Sequence, residues 1–146
     1  MSSPIQTQNP KESYPKVTYS HVVTVDAPAR LIYTAGQVGR DNTGFIPESY
    51  EEQVKLAYQN LGHCLAAVNA SPKDIVKLTY YVVNYDPNRP AHIEITEDFL
   101  DGHRPGITLV PVQQLAAPGF LFEVEAVAAI EPDRQPTNNK SKSSSD

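Results

Sequence analysis

Cysteine occurs once in the 146 residues, at Cys64, methionine once and tryptophan not at all. A lone thiol excludes an intrachain disulfide and a Cys-rich zinc site, and it suits a reducing compartment. Positive charge is also scarce, 12 Lys and Arg standing against 17 Asp and Glu for a net charge of -5. That balance builds no phosphate-neutralising field, so nucleic acid is not an expected partner. Nothing approaches the ~18 consecutive apolar residues of a membrane span. The opening MSSPIQTQNPKESYPK lacks the apolar core of a signal peptide. A cytoplasmic protein with no membrane partner is expected. His63, His92 and His103 have no ligand spacing, and no metal is expected.

With 40% hydrophobic residues the chain suffices for one compact domain. Polar, proline-bearing residues 1–15 read as a flexible N-terminal segment, 16–131 as the folded domain, and the low-complexity 132–146 as a disordered polar tail. Val17 to Asp26 and Leu31 to Gly39 are β-branched and aromatic, separated by APAR, and predict a hairpin or a closely paired strand couple. Ser49 and Glu52 form a capping box that opens a helix ending near Asn69. Its apolar stripe is Val54, Ala57, Leu61, Cys64 and Val68, which makes Cys64 a small core residue. Ile75 to Val83 predicts a strand with Val76, Leu78, Tyr80 and Val82 on one face and Lys77, Thr79 and Tyr81 on the other. A second helix carries the stripe Ile93, Thr96, Phe99 and Leu100 and stops at Gly102. Strands ITLVPV and FLFEVEAVAAI follow, with Pro111 suited to an edge or bulge. The order β-β-α-β-α-β-β predicts an α+β single domain with two helices on one face of a mixed sheet.

The last strand poses the chemical question, since Glu123 and Glu125 interrupt an otherwise apolar run. Strand alternation puts both on the face opposite Phe122, Val124 and Ala126. The apolar set meets the helices, so the carboxylates point to water, a cleft or another subunit. From the preceding strand that face shows Ile107 and Leu109 or else Thr108 and Val110. A carboxylate in a half-closed apolar cleft can serve as general acid or base. It can equally form a structural ion pair, with Lys77 or with an arginine across a subunit contact.

Three segments in this order resemble the Rid family of small proteins, also called YjgF: YSHVV (Tyr19 to Val23), IYTAGQVG (Ile32 to Gly39) and RPGITLVPV with FLFEVEAVA (Arg104 to Ala128). The resemblance spans about residues 17 to 130. It implies a chorismate-mutase-like fold and a homotrimer with ligand clefts between subunits, the neighbours covering the second sheet face. It places Glu123 in the cleft as acid or base, with Tyr19 beside it. Glu125 falls where the family looks toward the trimer interior. Family members hydrolyse reactive enamines and imines to a keto acid and ammonia, and hold the substrate carboxylate with an arginine. Here that position is Ile107, which has no donor. A family cysteine is Leu109, an asparagine is Ile93, and the serine before Gly36 and Gln37 is Ala35.

The resulting expectation is an enzyme using no cofactor. Glu123 and Tyr19 would be catalytic, and Ala35, Gly36, Gln37, Tyr81, Ile93, Ile107, Leu109 and His21 would line the substrate site. Its small-molecule substrate would be an enamine, imine or enol. The reaction would be hydrolytic deamination, or a rearrangement, dehydration or cyclisation in specialised metabolism. His21 shares Tyr19's strand parity and is a candidate second acid or base beside Glu123, the alternative being an exposed or hydrogen-bonded strand histidine. Whether His21, Arg40 or Arg104 replaces the missing arginine is not decided by the sequence, and Arg40 and Arg104 read equally as solvated or paired across subunits. The alternative is a non-catalytic trimer that binds an apolar metabolite or a protein partner.

Overall fold

The computed structural model describes residues 3–15, 18–89 and 91–136. The chain runs β1 (Ile5–Gln8), β2 (Val22–Val25), β3 (Arg30–Tyr33), β4 (Gln37–Val38), α1 (Tyr50–Ala67), a 3-10 turn (Pro72–Asp74), β5 (Ile75–Val83), α2 (Ala91–Leu100), β6 (Gly106–Val112) and β7 (Phe122–Ile130). Two expectations about its start are corrected. Residues 1–15 include a strand, β1, which pairs antiparallel with β2, Ile5 opposite Val25. Neither the hairpin nor the closely paired strand couple expected across APAR forms, because β2 takes β1 as its partner while β3 pairs with β7. Ile5–Gln8 reads IQTQ, too short and polar for periodicity to reveal.

The main sheet has the order β3-β7-β5-β6, with β4 also on β7. β5 and β6 are parallel and the other pairs antiparallel, so the sheet is mixed. β6 lies at an edge, where Pro111 removes no ladder bond to a further strand. Leu78, Tyr80 and Val82 of β5 pair with Ala126, Val124 and Phe122 of β7, and all six are buried with the inner residues of α1. Ile75 joins this face in place of the predicted Val76. Between Ile75 and Lys77 two β5 steps match one β7 step, a bulge that resets the alternation.

Ser49 caps α1, its hydroxyl accepting the Glu52 N–H at 3.3 Å. Ser49→Ala is expected to lower the unfolding free energy by about 1 kcal/mol, read from denaturant midpoints at unchanged m-value. The buried stripe is Val54, Ala57, Tyr58, Leu61 and Leu65. Cys64 is only half-buried and Val68 is exposed, one position off the predicted stripe toward its C-terminal end. Likewise α2 buries His92, Thr96 and Leu100, and leaves Ile93 41% exposed. Thr96 bridges the helices, its hydroxyl 2.5 Å from that of Tyr58. Beyond β7, the start of the predicted tail is anchored: Arg134 bonds the carboxylates of Asp74 and Glu131. The rest of that tail, 137–146, lies outside the described residues.

Candidate functional site

The face of the sheet opposite the helices carries Lys77, Thr79 and Tyr81 from β5, Thr108, Val110 and Val112 from β6, and Glu123, Glu125 and Val127 from β7. Most are half-buried, and on β3 Leu31 is 50% and Tyr33 71% exposed. Among the described residues no helix packs on this amphipathic face. Ile107 and Leu109 lie on the other side, paired with Leu78 and Tyr80 and packed against the core. Within one chain, therefore, they do not meet Glu123.

Glu123 is positioned by an irregularity. Tyr33 pairs with Val127 and Gln37 with Val124, so residues 34–36 span only residues 125 and 126 of β7. Thr34 holds this bulge, its N–H donating to Ala126 O and its Oγ1 accepting the Ala126 N–H, both at 3.0 Å. The extra residue brings Gly36 over the Glu123 carboxylate. A Cβ at Gly36 would lie 1.8 Å from Glu123 Oε1, so only glycine allows both groups their places. Bulges beside functional groups re-aim side chains in this way. Gln37 continues into β4, its side-chain amide donating to Ala35 O at 3.3 Å. The result is a carboxylate on the helix-free sheet face, against backbone that has no side chain to shield it.

Glu125 is differently engaged. Tyr81 stands opposite Glu123 in register, but its hydroxyl donates diagonally to Glu125 Oε1 at 2.7 Å. That hydrogen bond, chiefly, holds the Tyr81 phenol above its ordinary range. An ion pair with Lys77 is not formed within the chain, because Lys77 Nζ bonds Thr108 Oγ1 instead. Among the described residues neither Glu123 nor Glu125 has a salt-bridge partner.

Tyr19 and His21 belong to another corner. Tyr19 shares a hydroxyl-hydroxyl bond with Tyr14 at 2.7 Å, which raises its pKa, and His21 Nε2 donates to Tyr14 O at 2.8 Å. The neighbouring Ser20 ties this corner to the start of β6, its N–H on Pro105 O and its hydroxyl on Arg104 O. Glu123 and Gly36 thus sit at the β4 side of the sheet, and Tyr19, His21 and Arg104 by the β6 edge, with β5 between β7 and β6. Arg40 folds back over its own loop, its guanidinium beside Gly44. Ile93 faces outward from α2. A single chain therefore presents two separated groups of the predicted residues.

Sequence reasoning passes over Thr34 and Gln53. Gln53, 1% exposed, donates to Pro47 O and Gly119 O and accepts the Leu121 N–H, anchoring the loop before β7 on α1. Only its distance of one residue from the apolar stripe hints at burial.

A family model described as Endoribonuclease L-PSP matches residues 10–130. The chain is 31% identical to the 2-iminobutanoate/2-iminopropanoate deaminase of Rattus norvegicus over 75% of this chain and 78% of that protein. It is 34% identical to the RutC family protein YjgH of Escherichia coli, over 68% of this chain and 76% of that one. Among solved structures, the Rid family protein YyfB of Yersinia pestis superposes with a TM-score of 0.80 at 33% identity, covering 87% of this chain and 99% of that one. E. coli TdcF with bound serine gives 0.61 at 30% identity, covering 85% and 95%. A match over nearly the whole folded part, with a close structural superposition at one-third identity, makes the chain a member of the Rid/YjgF family.

Proposed function

We propose that the protein is a cofactor-free acid/base enzyme acting on a small enamine, imine or enol-type metabolite, in a cleft between subunits of a homotrimer. The observation that carries this reading is the Glu123 carboxylate held on the open sheet face against Gly36. A carboxylate there can take a proton from an attacking water and return it to a departing nitrogen, without metal or organic cofactor. The deaminase names of relatives at about one-third identity support the reaction class.

The separation of the two residue groups supports the assembly. A head-to-tail contact would bring the β6 edge of one copy, with Tyr19 and His21, to the Gly36 and Glu123 side of the next. Such contacts close into a ring when the rotation fits. The same ring would cover Leu31 and Tyr33. A solution mass near three times 16.1 kDa is expected by light scattering, and a monomer at working concentration would remove the shared cleft.

The substrate departs from an ordinary amino-acid-derived imine in one respect. Ile107 has no donor for a carboxylate, and its own side chain packs on the helix side. Deamination of a less polar imine, or a rearrangement, dehydration or cyclisation of an enol, suits that position better than capture of a free carboxylate. The same loss favours, as the second reading, a trimer that binds an apolar molecule without turning it over. The test mixes the protein with a freshly generated 2-aminoacrylate-type imine and follows ammonia release against buffer. Acceleration abolished by Glu123→Gln supports the deaminase; no acceleration moves the search to apolar enols and imines. Turnover unchanged in Glu123→Gln rules out the assigned acid/base.

A further inference from the structure

A second site stands apart from Glu123. The C-terminal end of β5, the first turns of α1 and α2 and the residue preceding β7 enclose a cleft of about 280 Å³, lined by Tyr50, Val82, Tyr85, Arg89, His92 and Leu121 among others. That size lies near the lower end of the roughly 300–1,000 Å³ typical of ligand pockets. Its occupant is small.

His92 sets the chemistry. It is 3% exposed, yet it lines the cleft, and its Nδ1 is 3.0 Å from the Tyr50 hydroxyl. Among the described residues its Nε2 has no protein partner, while no fully buried side-chain nitrogen is left unbonded. Nε2 is therefore reached through the cleft. Burial pushes the imidazole pKa down, favouring the neutral ring. A phenol donates readily to a neutral imidazole nitrogen, which leaves the second nitrogen as an N–H donor aimed at the ligand.

The walls and rim add two features. Of the tyrosines around the His92 ring, Tyr50 and Tyr85 line the cleft, each at a centroid distance of 6.2 Å, and give the interior flat aromatic surfaces, while Tyr80 at 5.6 Å belongs to the buried core. At the mouth Arg89 is 85% exposed and only loosely paired with Asp86, Nε to Oδ2 3.7 Å, since Asp86 Oδ1 accepts the Asn88 N–H. Residue 50 begins the 18-residue α1 and residue 92 is second in the 10-residue α2, so two helix N-termini converge here. Their dipoles favour negative charge.

We infer that this cleft is a binding site for a small planar carboxylate, aromatic or α,β-unsaturated. Its ring or alkene lies among the tyrosines, and its carboxylate takes the His92 Nε2–H and the Arg89 guanidinium. The site is independent of Glu123 and of the reaction proposed there.

The probe is 4-fluorocinnamate, with its 19F line broadening titrated against the full-length protein. Saturable binding is expected, weakened roughly tenfold by Arg89→Ala, which removes a charge-assisted bond. Arg89 is exposed, so that variant keeps the fold. Tyr50→Phe, which frees His92 Nδ1, also weakens binding, while Glu123→Gln binds as the unaltered protein does. The neutral 4-fluorocinnamamide binds more weakly than the acid. Absence of saturable binding overturns the inference, as does full affinity in Arg89→Ala or a loss confined to Glu123→Gln, which would put the probe in the other cleft.

Discussion

Gln53→Leu is expected to cost about 3–5 kcal/mol of stability, more than the loss of any one hydrogen bond accounts for. Leucine fills nearly the same volume, so the effect is read from hydrogen bonding rather than from a cavity. Three groups lose their partner at once: Pro47 O, Gly119 O and the Leu121 N–H, each 2.8 to 2.9 Å from the Gln53 amide. A buried group left unbonded costs about 1–3 kcal/mol, and partial access of water at the Gly119 and Leu121 contacts keeps the sum below three full penalties. The melting temperature should fall by roughly 10–20 °C at fixed protein concentration. Gln53→Glu separates the terms. It keeps an acceptor for Leu121 but sets a carboxylate against two carbonyl oxygens, and is expected to be no more stable than the leucine variant. A small effect from both would mean that the loop before β7 finds other partners.

Gln53 also marks where the sequence stops being legible. Periodicity reads the element correctly: Ser49 caps α1 and the helix ends beside Asn69, whose φ of 62° breaks it. It misjudges which residues face inward, because a glutamine beside an apolar stripe looks like its polar border. His92 escapes it for the same reason, since the pattern favours the apolar neighbour Ile93, which is the exposed one. In strands, alternation correctly pairs Glu123 with Glu125 and opposes them to Phe122 and Val124. It cannot assign Ile107 or Thr108 to a face, since that needs the register with β5. It also misses the bulge at Val76, because strict alternation carried back from Leu78 puts Val76 inward, whereas the extra residue turns Ile75 inward instead and leaves the later faces as predicted. The partner of β2 is beyond reach as well: nothing in IQTQ announces a strand. The candidate site is legible as residue types and not as a place, because its members reside at opposite sides of the sheet.

Gly36→Ala should produce the reverse pattern to Gln53→Leu, a protein that folds and does not turn over. Gly36 is not among the residues with positive φ, so alanine brings no backbone strain. Its Cβ meets Glu123 Oε1 at 1.8 Å, Cδ at 2.7 Å and Cγ at 2.9 Å, all atoms of one flexible side chain whose far end can swing away. The fold accommodates the methyl by expelling the carboxylate from its position. General acid/base contributions run to about 10²–10⁴-fold, so kcat on the responsive imine or enol should fall by about that factor, with melting temperature little changed. Gly39→Ala is the structural control. Its Cβ would lie 2.5 Å from Gln53 Cα and 2.7 Å from Gln53 O, helix backbone that cannot step aside, so stability falls first. If Gly36→Ala keeps full kcat while crystals show Glu123 displaced, the carboxylate is not the proton carrier, and the glycine serves only the bulge. If kcat collapses in a fully folded Gly36→Ala, the absence of a side chain at residue 36 is a requirement of the chemistry, because it leaves Glu123 in reach of the substrate.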